Sequence, residues 1–195
     1  GLDMIGELYT GQPVNDVVVW NDTAYVINHN SGGLQVIDVS TPESPLLVHT
    51  FPTPGQAEAV AVVDGQYAYV ADGPQGLRVI DTLAVPPQDP NLYQRPSQDF
   101  SCDVFIHKGY AYLADGNAGF QVFDISNPPA SAANPRYITT IAMPDSAFAN
   151  HVYASGNHIY VGLNTGGLHV FDISDPNAPE PVPAPLYETM GPVRD

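Results

Sequence analysis

Short apolar runs alternate with turn-forming residues along most of the chain. One region shows the pattern clearly, with runs at AVAVV (59–63), YAYVA (67–71) and LRVIDT (77–82) and a less regular run within 91–100. Val, Ile, Tyr and Phe dominate these runs, which is typical of β-strands. Asp-Gly and Pro between them, in DGQ (64–66) and DGPQG (72–76), favour tight hairpins. Because no apolar period of 3.6 residues persists over three turns, the pattern predicts an all-β protein.

The same pattern occurs four times. The glycine that opens the third run of each copy and the aspartate five residues later recur at Gly33 and Asp38, Gly76 and Asp81, Gly119 and Asp124, and Gly167 and Asp172. We place the repeats at approximately 14–55, 56–100, 101–145 and 146–185, within a single domain of residues 1–195. Four antiparallel strands in each unit of about 40 to 45 residues predict a β-propeller with four four-stranded blades.

The two ends of the chain suggest how the last blade is completed. MIGELYTG (4–11) resembles the outer strand and following loop of the first repeat, LLVHTFPTPG (46–55). The fourth repeat has three clear strands and then a Pro-rich tail, 178–195. We therefore expect residues 4–11 to supply the outer strand of the last blade, either in the same molecule or in a neighbour, where strand exchange would build a polymer. A segment of a larger propeller is the alternative.

Charge and cysteine content narrow the classes of partner. Against 21 Asp and Glu the chain has 5 Lys and Arg, a formal net charge of -16. Such a surface repels nucleic acid and is compatible with a cationic surface as partner. No apolar run is long enough to span a membrane. Since Cys102 is the single cysteine, no intrachain disulfide can form.

The recurring YAYVADGPQGLRVIDT and GYAYLADGNAGFQVFDISNP resemble the LVIVD repeat family, over about residues 15–170. The resemblance implies a propeller. It also implies an extracellular or cell-surface location, since many members are bacterial or archaeal surface or secreted proteins. It implies no enzymatic activity.

Most of the repeated aspartates fit a structural role. Asp38, Asp124 and Asp172 each open an Asp-x-Ser-x-Pro sequence, in which the carboxylate can accept hydrogen bonds from the backbone of the next turn. Asp72 and Asp115, in the two ADG corners, are expected to stabilise their own hairpins. Calcium binding at these loops is the alternative.

The residues that begin the innermost strands form the best candidate site. Aligning Val17, Val60, Val104 and Val152 brings the two residues before each valine to one channel mouth. Four of these residues could bind Ca²⁺ or another divalent metal: Asp16, Asp103 and His151, directly before their valines, and Glu58, one step earlier. Alternatively, these polar groups hydrate the channel and hydrogen-bond to the backbones of neighbouring blades. Cys102 and His151 could form a nucleophile pair only if folding brought them together. An inert thiol is the other reading of Cys102.

These observations predict a protein without catalytic or cofactor-binding residues. We expect an interaction or structural module of a secreted or cell-surface assembly, with protein partners or self-association. The alternative is a metal-dependent hydrolase or oxidoreductase with its site at the axial channel. Asn21 lies in an Asn-Asp-Thr glycosylation sequon, which matters only in a glycosylating secretory route.

Overall fold

A computed structural model describes residues 3–29, 32–84, 91–127, 135–144 and 147–182. In these residues there is no α-helix, and sixteen strands form four antiparallel sheets of four strands each. Each sheet is one blade, and its strands follow one another from the inner to the outer edge. Blade 1 contains β1 (Val14–Trp20), β2 (Thr23–Asn28), β3 (Gly33–Asp38) and β4 (Leu46–Phe51). Blade 2 contains β5 (Ala59–Val63), β6 (Tyr67–Ala71), β7 (Leu77–Asp81) and β8 (Asn91–Arg95).

The last two blades repeat this arrangement. Blade 3 contains β9 (Asp103–His107), β10 (Tyr110–Ala114), β11 (Phe120–Asp124) and β12 (Arg136–Ile141). Blade 4 contains β13 (Ala149–Ser155), β14 (His158–Leu163), β15 (Leu168–Asp172) and β16 (Glu180–Pro181). The strands expected in the second repeat are confirmed, with the outer strand now defined as β8.

The core consists of the junctions between successive blades. Because side chains alternate between the two faces of a strand, each blade has a leading face toward the preceding blade and a trailing face toward the next. At the first junction, the trailing face of blade 1 packs on the leading face of blade 2, through Tyr25, Ile27, Leu34 and Val36 against Ala68, Val70 and Ile80. Equivalent clusters join blade 2 to blade 3 and blade 3 to blade 4.

The inner strands define an open arc. β1 packs against β5, β5 against β9, and β9 against β13. No comparable packing joins β13 to β1, so blade 4 and blade 1 do not form a fourth junction. The leading face of blade 1 and the trailing face of blade 4 are therefore the two ends of the arc.

The structure does not confirm closure of the last blade by residues 4–11. The segment 3–10 has no strand structure, and Leu8 packs instead on Ala24, Val26 and Ile37 of blade 1. The outer strand of blade 4 begins with residues from the C-terminal side, where Glu180 pairs with Asp172 and Pro181 with Phe171. Proline is tolerated in an edge strand, because such a strand does not need every N–H for pairing. The Pro-rich composition of this segment is untypical of strands, and the sequence therefore did not predict β16. The rest of the predicted tail, 183–195, lies outside the described residues.

The repeated glycine has a steric explanation. Gly33, Gly76 and Gly119 all have positive φ angles, of 65°, 76° and 96°. In each, an added Cβ would collide with a backbone carbonyl oxygen at the end of the outer strand: Phe51, Arg95 and Ile141, respectively. The glycine thus lets β3, β7 and β11 start directly beside the outer strand of the same blade.

Candidate functional site at the axial mouth

The starts of the inner strands surround a cavity of about 560 Å³, which we call the axial mouth. Its lining is rich in carboxylate and amide groups: Asn15, Asp16, Glu58, Ala59, Phe100, Cys102, Asp103, Phe148, Asn150, His151 and Asn164. All four residues predicted for a metal site are thus brought together in one cavity. The alignment of the inner strands was sufficient to find them, because equivalent positions in successive blades lie at the same end of the arc.

Asp16 and Asp103 connect neighbouring blades. Asp16 Oδ2 accepts a hydrogen bond of 2.8 Å from the backbone N–H of Val60 in blade 2. Asp103 Oδ2 accepts an equivalent bond of 2.8 Å from Val152 in blade 4. The alternative interpretation of these positions, as hydrogen-bond partners of neighbouring backbones, is confirmed for both aspartates. The second repeat has Ala59 at this position, so the junction of blades 2 and 3 is formed without such a carboxylate.

Glu58 is held by side chains of the first blade. Asn15 Nδ2 donates to Glu58 Oε2 at 2.9 Å and to the backbone oxygen of Ala57 at 3.2 Å. His29 Nδ1 lies 4.0 Å from Glu58 Oε1. Burial raises the pKa of the Glu58 carboxyl, while the nearby His29 and the hydrogen bond from Asn15 act in the opposite direction. This carboxylate is consequently fixed in position at the wall of the mouth.

The fourth predicted ligand, His151, lies beside Asp103, with 3.8 Å between its Nδ1 and Asp103 Oδ2. Within the described part of the chain, no three His, Cys, Asp or Glu side chains converge closely enough to hold a metal ion. Metal binding by Asp16, Glu58, Asp103 and His151 stays a prediction. The donor set present in the mouth is suited to hydrogen bonding and to the attraction of positive charge.

Cys102 lies in the wall of the mouth as a protonated thiol. Its Sγ donates to the backbone oxygen of Phe100 at 3.4 Å. Burial first, and then the surrounding carboxylates led by Glu58, raise the pKa of the thiol to about 12. A nucleophilic cysteine needs the opposite environment, one that favours the thiolate.

The reactivity of this thiol gives a direct test. Iodoacetamide should alkylate Cys102 in the native protein at least about tenfold more slowly at pH 8.5 than in the urea-unfolded chain, where an ordinary thiol is half ionised near that pH. Mass spectrometry over a time course measures both rates. Equal rates in the two states would show that the thiol is ionised and accessible in the fold.

The aspartates that close the third strand of each blade form turns, as expected. Asp38, Asp124 and Asp172 each accept a hydrogen bond from the backbone N–H of the serine two residues later, at 2.8, 3.0 and 2.7 Å. The hydroxyl and the N–H of that serine hold the pKa of each carboxyl below its usual value. The three carboxylates therefore stabilise the exposed turns that follow their strands.

The two ADG aspartates contact their own hairpins, as expected, and also bind the preceding loop. Asp72 Oδ2 accepts a hydrogen bond of 3.4 Å from Arg78 Nε of β7, and Asp115 accepts one from the Gln121 amide of β11. The hairpin is closed by main-chain bonds, from Asp72 N to the oxygen of Gly76 and from Asp115 N to that of Gly119, both at 2.8 Å. The carboxylates also bind the loop that arrives from the preceding blade: Asp72 accepts from Gly55 N at 3.2 Å, and Asp115 accepts from Gln98 N at 2.9 Å. They therefore join blade to blade.

Asp115 forms the more extensive of these connections. Its carboxylate is completely buried and also accepts hydrogen bonds from Ser97, Ser101 and Gln121. The sequence did not predict these three partners. The repeat did contain a clue to one of them. Ser97 lies six residues before the start of the inner strand β9, and Thr53 lies six residues before the start of the inner strand β5. In blade 1 the position equivalent to Asp115 is occupied by Asn28. The side chain of Asn28 is a buried amide without a hydrogen-bond partner among the described residues.

Comparison with known proteins identifies the repeat and the fold. The LVIVD repeat model matches residues 11–53, 54–85, 100–139 and 148–182. The comparison with curated proteins found no match. In the described part of the chain, no helix is long and apolar enough to cross a membrane.

Solved structures with a similar fold share little sequence identity. The computationally designed protein Ika8 gives a TM-score of 0.69 at 12% identity, over 90% of this chain and 50% of its own. The β-propeller domain of Cps50 (Swd1) from Myceliophteria thermophila gives 0.69 at 12%, over 91% and 60%. The WD40 repeats of RRP9 give 0.69 at 14%, over 88% and 51%. The chain thus spans half to three fifths of these chains, and the similarity establishes the fold.

Proposed function

Since the chain belongs to the LVIVD repeat family, we propose that it is a non-enzymatic interaction module of a secreted or cell-surface assembly, and that its axial mouth receives a basic group of a protein partner. The observation that carries this proposal is the composition of the mouth. Asp16, Glu58 and Asp103 contribute three carboxylates to one cavity, and no Lys or Arg is among the described residues that line it.

Electrostatics favours a cationic occupant. A cavity walled by carboxylates concentrates negative potential, because the low-dielectric walls focus the field toward the opening. The whole chain adds to this potential through its net charge of -16. A lysine or arginine side chain entering the mouth would find carboxylate and amide oxygens, and the orientation of Glu58 is already fixed by Asn15.

The size of the mouth also fits this role. A volume of about 560 Å³ is within the range of pockets that enclose a drug-sized ligand, so it can accommodate a lysine or arginine side chain. The residues of the mouth that could act in catalysis are engaged otherwise. Asp16 and Asp103 accept hydrogen bonds from the backbones of neighbouring blades, and the raised pKa of Cys102 keeps its thiol protonated. The proposed location outside the cytoplasm is supported by the resemblance of the repeats to those of surface and secreted proteins.

The binding of hexalysine, measured by isothermal titration calorimetry, tests the proposal. We expect Glu58→Gln to weaken the affinity about fivefold, since a partly buried charge pair contributes about 1 kcal/mol. Raising the salt concentration should weaken binding further through screening. The matched control is Glu180→Gln, which makes the same change in charge on the exposed outer strand β16 and should leave the affinity nearly unchanged. Absence of binding, or equal losses in the two variants, would overturn the proposal.

A further inference from the structure

The leading face of blade 1 leaves exposed the inner-strand valine that is buried in every other blade. Val17 pairs with Val26, and Val19 pairs with Ala24, so these side chains share one face of the sheet. Val17 is 55% exposed and Val19 is 60% exposed, whereas the counterparts of Val17, which are Val60, Val104 and Val152, are at most 4% exposed. The repeat therefore builds a packing surface on blade 1 that no blade of this molecule covers.

The trailing face of blade 4 shows the complementary property. Leu168 is 41% exposed, while its counterparts Leu34, Leu77 and Phe120 have no exposed surface. Tyr153, on the same face through its pairing with Tyr160, is 58% exposed. A cavity of about 350 Å³ borders Tyr153, Tyr160 and Leu168 on this face and extends to the inner strands of blades 1, 2 and 3.

These two faces match each other by the same rule as the three junctions inside the molecule. At each internal junction a trailing face packs on a leading face. The leading face of blade 1 presents Ala24, Val26 and Ile37, which correspond in position and type to Ala68, Val70 and Ile80 of blade 2. The open arc prevents the two faces of one molecule from meeting.

We propose that two copies of this chain associate head to tail, the trailing face of blade 4 in each packing on the leading face of blade 1 in the other. This partner is distinct from the basic group expected at the axial mouth. The two junctions are equivalent by twofold symmetry, and a head-to-tail contact that closes on itself leaves no exposed end face. The product is a ring of eight blades, which is within the range of known propellers.

The N-terminal segment covers part of this interface in the single molecule. Leu8 occupies the centre of the leading face of blade 1, on Ala24, Val26 and Ile37. Gln35 Nε2 adds a hydrogen bond of 3.2 Å to the backbone oxygen of Thr10. Association replaces Leu8 by side chains of blade 4, so the segment competes with the second copy.

Light scattering after size-exclusion chromatography, over a dilution series, tests this association. We expect a species of twice the 20.8 kDa of one chain. Val17→Lys and Leu168→Lys should each convert it to monomer, because each places a charge in an apolar junction. The control Leu83→Lys alters a residue that is 64% exposed in the turn after β7, and it should preserve the dimer. Circular dichroism verifies that the variants remain folded.

Two further measurements separate this proposal from other forms of association. Leu8→Ser should lower the dissociation constant of the dimer at least about threefold, because it weakens the competing segment. Higher salt should favour the dimer by screening the repulsion between two acidic chains, whereas it weakens hexalysine binding at the mouth. A wild-type monomer at all concentrations, an open-ended polymer, or a dimer unaffected by both lysine substitutions would overturn the inference.

Discussion

Gly119→Ala should lower the free energy of unfolding by about 3 kcal/mol or more. Gly119 has a φ of +96°, a conformation that an alanine adopts only with strain. In addition, the new Cβ would collide with the carbonyl oxygen of Ile141. That oxygen cannot move away easily, since Ile141 pairs with Phe120 in the ladder between β11 and β12. Urea unfolding followed by circular dichroism measures the loss.

The control for this substitution is Gly156→Ala. Gly156 also has a positive φ, of 61°, but no atom of the described residues lies within 4 Å of an added Cβ. Its loss should be only about 1 kcal/mol, because the strain is present without the collision. Similar losses at the two positions would show that backbone conformation alone, and not the close approach of the outer strand, requires the repeated glycine.

Asp115→Ala should have an effect of similar size. The substitution removes one acceptor from four donors, which are the hydroxyls of Ser97 and Ser101, the backbone N–H of Gln98 and the amide of Gln121. A hydrogen bond to a charged group contributes about 1.5 to 3 kcal/mol, and buried donors without a partner add a desolvation penalty, so we expect a loss of at least about 3 kcal/mol. Thermal unfolding and urea unfolding both report it.

Asp175→Ala is the matched control for Asp115→Ala. Asp175 is exposed, and among the described residues its carboxylate bonds only within its own turn, to the backbone and side chain of Asn177. Its replacement should change stability little, although it removes the same charge. If Asp115→Ala were equally mild, the carboxylate would not be the connection between blades 2 and 3 that its contacts indicate.

The sequence predicted much of the fold because the repeat is local. Each hairpin is specified by its Asp-Gly or Gly-rich corner, and each strand by a short apolar run, so blade 2 follows the expected boundaries closely. β16 was missed because Glu180 and Pro181 lack an apolar pattern, and the strand exists only through its pairing with β15. Residues 4–11 resembled an outer strand, yet sequence similarity could not decide which surface they would cover.

The axial mouth was predictable in its membership but not in its contacts. The common register of the inner strands identified Asp16, Glu58, Asp103 and His151 as neighbours, and they line one cavity. The partners of the aspartates are backbone groups of the next blade, and a backbone N–H leaves no signal in the sequence. The burial that keeps Cys102 protonated is likewise a property of the assembled blades.

The sequence by itself determined four repeated sheets, their hairpins and the glycine at each third strand, because these depend on interactions among residues close along the chain. Only the tertiary structure decided that the four blades form an open arc, that the Asp72 and Asp115 carboxylates join blades, and that no other blade covers the end faces of blades 1 and 4. The physical reason is that leading and trailing faces carry the same kinds of apolar residues. Their pattern specifies that each face must pack, but not which surface it meets.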